Sequence, residues 1–172
     1  MWAHECHRVW QDRLLFPEDR EAYMNFMRAG LKEFADHGKE EVVFEQPLIY
    51  TSFMSMAKGH DPNYAPVADM DSLRQVLEAK MEEYNEAVAQ MDLVLFNQAM
   101  EHITRICRIT FLPGGNALLV GVGGSGKQSL SKLAAFILTY EVFRIVVATN
   151  YTLGDLKVDM QTLFMKTGVQ GQ

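Results

Sequence analysis

The chain has 172 residues, 48% of them hydrophobic and 22% charged, and a formal net charge of -6. This composition excludes a wholly disordered chain, and the acidic balance argues against a general binder of nucleic acid or anionic membranes, which would neutralise phosphates with Lys and Arg. The length fits about one domain, and no apolar run reaches the roughly 18 residues of a membrane span.

Trp2, Cys6, Val9, Trp10 and Leu14 recur at helical spacing and predict an amphipathic helix over residues 1–14, interrupted by Pro17. This stretch lacks the uninterrupted apolar run of a signal peptide. Cys6 and Cys107 fall in separate predicted helices and are expected as reduced, mostly buried thiols in a reducing compartment. His4, Cys6 and His7 cluster, but Arg8 stands where the HExxH pattern has its second His, so no metal site is expected there. A second helix follows, with Tyr23, Phe26, Met27, Gly30, Leu31 and Phe34 on one face and His37-Gly38 as its stop.

Residues 38–70 read as a connector and as the best candidate for a domain boundary. Val42-Val43-Phe44 is β-prone, Pro47 breaks the run, Leu48-Ile49-Tyr50 resumes it, and the stretch from Lys58 to Pro66 is turn chemistry. Asp71 is expected to cap the next helix, whose apolar stripe is Leu73, Val76, Leu77, Met81, Tyr84, Val88 and Met91 and whose opposite face is acidic and solvated. A further helix is predicted over 92–108, with Leu93, Phe96, Ile103 and Ile106 inward, ending at the turn Pro113-Gly114-Gly115. Tyr84 and Phe96 are core candidates that could also stack on a base.

The pattern then changes. Ala117-Leu118-Leu119-Val120 reads as a strand buried on both faces, a Gly-rich loop follows, and Leu130, Leu133, Ala134, Ile137 and Leu138 mark a helix. Residues 143–148 read as a second strand. Leu156, Met160, Leu163 and Phe164 mark a last helix, closed by Gly168. Strand, loop, helix, strand, helix is the opening of a three-layer α/β fold on a parallel sheet. Two strands leave that sheet incomplete, so the chain reads as a fragment continuing beyond Gln172.

The specific signal is Gly121-Val122-Gly123-Gly124-Ser125-Gly126-Lys127-Gln128-Ser129, which matches the phosphate-binding G-x-x-x-x-G-K pattern between a predicted strand and helix. Gly121, Gly123, Gly124 and Gly126 let backbone N–H groups turn toward a polyphosphate, and the following helix adds the positive end of its dipole. Lys127 supplies a full charge for the β- and γ-phosphates. The expected ligand is ATP or ADP. Gln128 stands where the pattern has a Ser or Thr hydroxyl for Mg²⁺, and Ser129 is rotated by about 100° along the helix. Phosphate cradling is expected to survive this change, whereas Mg²⁺ ligation and fast hydrolysis are disfavoured. No apolar strand ending in Asp or Glu follows the loop, so no catalytic residue is assigned; Asp155 and Asp159 read as solvated helix positions.

Residues 115–137, GNALLVGVGGSGKQSLSKLAAFI, resemble the P-loop of the fourth AAA+ module of dynein heavy chains, and the Gly-Lys-Gln-Ser ending is similar to the axonemal group. Residues 91–109 resemble the helix before that loop. Trp2, His4, Glu5, Arg8, Val9, Asp12, Arg13 and Leu14, followed by Glu18-Asp19-Arg20, resemble the closing helices of the third module. The resemblance implies that residues 1–45 end one AAA+ module and that 46–172 begin the next. It further implies a regulatory ATP/ADP site in a minus-end-directed microtubule motor of the ciliary or flagellar axoneme. Neighbouring AAA+ modules, microtubules and dynein intermediate and light chains would be its partners, and Val94 and Leu95 would lie near the adenine. A self-standing P-loop NTPase or kinase-like protein is the alternative, and a spacer with an empty loop is a third reading.

Overall fold

The computed structural model describes residues 1–33, 39–56 and 64–169. The expected stop at His37-Gly38, the inward Phe34 and the turn segment 58–63 lie outside these. The chain divides into two compact units, Met1–Leu138 and Thr139–Gln172.

The first unit opens with α1 (Trp2–Val9), a 3-10 turn at Gln11–Arg13 and α2 (Pro17–Glu33). The predicted face of α1 is corrected: Trp2, Val9 and Trp10 are exposed, while Ala3, His4, Cys6 and His7 are buried. The helix turns its small residues and its polar aromatics inward. His4 Nδ1 lies 2.9 Å from the Leu48 carbonyl oxygen, and Glu5 pairs with Arg108. These polar contacts decide the face against the larger but unmatched tryptophans. Pro17 begins α2 rather than merely ending α1, since the first helical position needs no N–H donor. Met27 and Leu31 of α2 are buried and Phe26 is exposed.

The β-prone Val42-Val43 forms the short helix α3 (Glu40–Val43) instead, and Phe44 follows as its cap residue. Val43 and Phe44 pack on Ala3, Cys6 and Met27. After the cis Gln46–Pro47 bond come β1 (Tyr50–Thr51), α4 (Phe53–Met56) and β2 (Ala65–Pro66). The two strands pair antiparallel, Tyr50 with Pro66 and Thr51 with Ala65.

Helix α5 (Met70–Ala87) is capped by Asp69, whose side chain accepts from the Ser72 N–H at 2.7 Å, and not by the expected Asp71. Leu73, Leu77 and Tyr84 are buried as the stripe predicts, whereas Val88 lies past the helix and is exposed. The next helix, α6 (Asn97–Phe111), starts five residues later than expected. Its predicted first turn is held extended by α5: Asn85 exchanges two hydrogen bonds with the Met91 backbone, and the Arg74 guanidinium donates to the Leu95 carbonyl. Helix α7 (Lys127–Ile137) follows the glycine loop, and α5, α6 and α7 pack together around Leu77, Met100, Ile103 and Leu133. Full burial of such side chains contributes roughly 1.5–3 kcal/mol each.

In the second unit, α8 (Leu153–Phe164) begins with a reciprocal capping box between Thr152 and Asp155 and passes into a π turn at Met165–Val169. Lys166 pairs with Glu141.

The parallel sheet is not seen among the described residues. Residues 117–120 and 143–148 are irregular, and the described residues contain only the β1–β2 sheet. Leu118 is 91% exposed, Val120 86% and Val147 74%. An apolar run encodes the capacity to be buried on both faces; a strand also needs a neighbour to share its ladder, and among the described residues neither segment has one. The structure is mostly helical with a small two-stranded sheet.

Candidate functional site

The glycine loop lies within the first unit, between the irregular segment 117–120 and α7. Gly124 has φ +77° and Gly126 φ +76°, in the left-handed region that resists a side chain. A Cβ on Gly121 would sit 2.9 Å from Ser125 Oγ and 3.5 Å from Lys127 Nζ, so that glycine keeps the mouth of the loop open. Gly123 shows neither constraint, and the expected need for glycine there is not visible in the structure. Gly126 is the N-cap of α7, with no side-chain cap, which leaves this terminus suited to an anion.

Lys127 is folded over the loop. Its ammonium donates to the carbonyl oxygens of Gly121 and Val122, each at 2.7 Å, and to Ser125 Oγ at 3.0 Å. An ammonium has three protons, so all are engaged. Within the loop the Ser125 N–H reaches the Val122 carbonyl at 3.4 Å. The lysine therefore faces the loop interior, where a phosphate group would exchange its oxygens for these acceptors.

A cavity of about 490 Å³ opens beside the loop, within the size range typical of small-molecule sites. Its polar lining includes His102, Arg105, Asn116, Ser125 and Lys127. Sequence reasoning gave His102 and Arg105 no role. The available signal was spacing: His102, Arg105, Ile106 and Ile109 lie at i, i+3, i+4 and i+7 along α6 and share one face. Arg105 also pairs with Asp12 at 3.2 Å and Glu101 at 3.3 Å.

The glycine cradle, the uncapped helix terminus and the inward lysine fit a polyphosphate. For Mg²⁺ the described residues offer fewer ligands. Gln128 is exposed on the first turn of α7, the Ser131 hydroxyl donates to the Lys127 carbonyl at 2.8 Å, and the cavity lining contains no Asp or Glu. Among the described residues no group of three His, Cys, Asp or Glu side chains could hold a metal ion.

The secondary candidates separate. Leu95 is 4% exposed in the core and Val94 75% exposed, whereas Leu93 approaches the loop, its Cδ1 3.8 Å from where a Gly126 Cβ would stand. Tyr84 packs edge-on against Phe136 with ring centres 5.3 Å apart, which commits it to the core; Phe96 is exposed. Asp155 serves the α8 cap, where hydrogen bonds from Thr152 hold its carboxyl below the ordinary value, and Asp159 accepts from the Tyr151 hydroxyl. Cys6 and Cys107 are both free and buried, and burial pushes the Cys107 thiol up to about 12.

A glycine loop of this pattern, opening an amphipathic helix, is the signature of a P-loop. Residues 91–172 match the family described as the P-loop containing dynein motor region D4. Over 99% of its length the chain is 48% identical to the dynein beta chain of the flagellar outer arm of Chlamydomonas reinhardtii. It is 44% identical over 99% to human dynein axonemal heavy chain 17, and 43% over 99% to the ciliary dynein beta chain of Heliocidaris crassispina. The chain spans 4% of the length of each of these relatives. It belongs to the axonemal dynein heavy chains, over a segment that includes their D4 P-loop. The self-standing NTPase or kinase-like alternative finds no support in these relatives.

Proposed function

We propose that this segment supplies a regulatory nucleotide site of a dynein heavy chain, with ATP or ADP held on Gly121, Val122, Gly123, Gly124, Ser125, Gly126, Lys127, Gln128 and Ser129. Residues 1–45 then close the third AAA+ module and residues 46–172 open the fourth. The heavy chain carrying them is an ATP-driven, minus-end-directed microtubule motor of the axoneme, working with neighbouring AAA+ modules and with dynein intermediate and light chains. The observation that supports this reading best is the inward Lys127 over a loop whose Gly124 and Gly126 adopt left-handed conformations. On phosphate binding the ammonium exchanges two carbonyls and a hydroxyl for charged oxygens, a roughly twofold stronger class of hydrogen bond.

The test is photolabelling of the intact heavy chain with an azido-adenine nucleotide, read by mass spectrometry on peptides from residues 91–137. Lys127→Ala is expected to weaken half-saturation at these peptides by about tenfold or more, as loss of a charged hydrogen-bond partner costs about 1.5–3 kcal/mol. Unchanged labelling in Lys127→Ala would remove the phosphate role of the loop.

A further inference from the structure

We infer that the polar cavity between α1, the 3-10 turn, the start of α2 and α6 is a second phosphate-binding site, separate from the glycine loop, in which Arg8, Arg20 and Arg105 hold the anion. The cavity has a volume of about 510 Å³ and is lined by Arg8, Gln11, Asp12, Arg20, His102 and Arg105. Three guanidiniums face one carboxylate in that lining. Glu101 accepts from Arg105 Nη2 at 3.3 Å, which still leaves one cation in excess among these side chains. The pairing with Asp12 is also divided. Asp12 Oδ2 stands 3.0 Å from Arg8 Nε and 3.2 Å from Arg105 Nε, so two guanidiniums share a single oxygen. Both Nε atoms are buried, and neither makes a directional hydrogen bond among the described residues.

The Arg8 side chain is 11% exposed and that of Arg105 29%, so water screens the two like charges only in part. Burial holds the Arg8 guanidinium below its ordinary value against the attraction of Asp12, and the like charge of Arg105 adds to that effect. An anion between them relieves this repulsion. Arg20 is anchored at the cavity wall, its Nε donating to the Leu14 carbonyl at 3.0 Å. Each guanidinium carries five N–H donors in a planar fork that matches paired phosphate oxygens. A phosphate has oxygens enough for three such forks at once, whereas a carboxylate has two. Arg105 and His102 line both this cavity and the one beside the glycine loop. A phosphate effect at Arg105 can therefore arise from either side, and Lys127→Ala separates them.

The experiment is hydrogen exchange read by mass spectrometry on the intact heavy chain, with inorganic phosphate or adenosine monophosphate added against chloride at equal ionic strength. Protection factors in peptides covering residues 8–20 are expected to rise about tenfold at about ten times the half-saturating phosphate concentration. The rise should persist in Lys127→Ala, which removes the cation of the glycine loop. It should disappear in Arg20→Gln, a change at an exposed position that leaves the core intact. A response to inorganic phosphate identifies the free ion as a ligand, and a response to the monophosphate alone identifies a phosphate ester. No rise with either probe, as when a carboxylate from elsewhere in the heavy chain already fills the cavity, overturns the inference. So does a rise that chloride reproduces or that Arg20→Gln retains. A rise abolished by Lys127→Ala belongs to the glycine loop, which overturns the second site and leaves the proposed nucleotide site standing.

Discussion

Two histidines of α1 are buried, and they differ in how they are satisfied. His4 Nε2 lies 2.8 Å from the Tyr64 hydroxyl, which also donates to Glu5 at 2.8 Å. His7 stacks on Phe44 and meets Tyr23 edge-on, and its buried Nε2 has no hydrogen-bond partner among the described residues. Burial is the main reason its imidazole titrates below the ordinary 6.5, reinforced by Arg8 and His4 and opposed by Asp12. On acidification through 6.5 an open form takes up a proton that the packed form refuses. The stability His7 contributes is complete above that value and is lost as pH falls below it. The protection factors of the α1 amides, corrected for the intrinsic exchange rate, should therefore fall between pH 7.5 and 5.5. His7→Phe keeps the ring, removes the titrating nitrogen, and should make that dependence shallower, leaving the part due to His4, whose imidazole burial also holds below the ordinary value. An equally steep dependence in His7→Phe would place the titration elsewhere.

At the scale of elements, capping and side-chain-to-backbone bonds set the boundaries more than periodicity does. Asp69 caps α5 because its backbone is extended and its carboxylate meets the Ser72 N–H, leaving Asp71 inside the first turn. Asp69→Ala should cost about 1 kcal/mol of local stability, and hydrogen exchange in the first turn of α5 should quicken about fivefold. Asp71→Ala should leave that turn nearly unchanged, and the reverse ranking would contradict the cap assignment. The late start of α6 has the same origin: Asn85 and Arg74 hold the backbone of Met91 and Leu95 extended. Those partners lie six and 21 residues away, beyond the reach of a helical-period argument.

At the scale of the whole molecule, apolar surface is the dominant feature of the segments expected as strands. Leu118 and Val120 in the first unit, and Val146 and Val147 in the second, are exposed. Contiguous exposed apolar residues of this kind bind apolar partners or dyes. The isolated 172-residue chain should bind a hydrophobic fluorescent dye at neutral pH and melt over a broad range. Weak dye binding with a sharp cooperative transition would show that these residues find cover within the chain.

The P-loop and its helix were legible in the amino-acid order because their requirements are local: glycines for left-handed backbone, a lysine one residue on, an apolar face at helical spacing. Leu130, Leu133, Ala134 and Ile137 are buried as that spacing predicts. The tertiary structure alone decided three things: which face of α1 turns inward, that Val42-Val43 becomes helix, and that His102 and Arg105 border the loop cavity. Each depends on partners distant in the chain, as Glu5 with Arg108 shows. Local sequence encodes propensity and period; pairing across many residues selects the face, the neighbour and the company a site keeps.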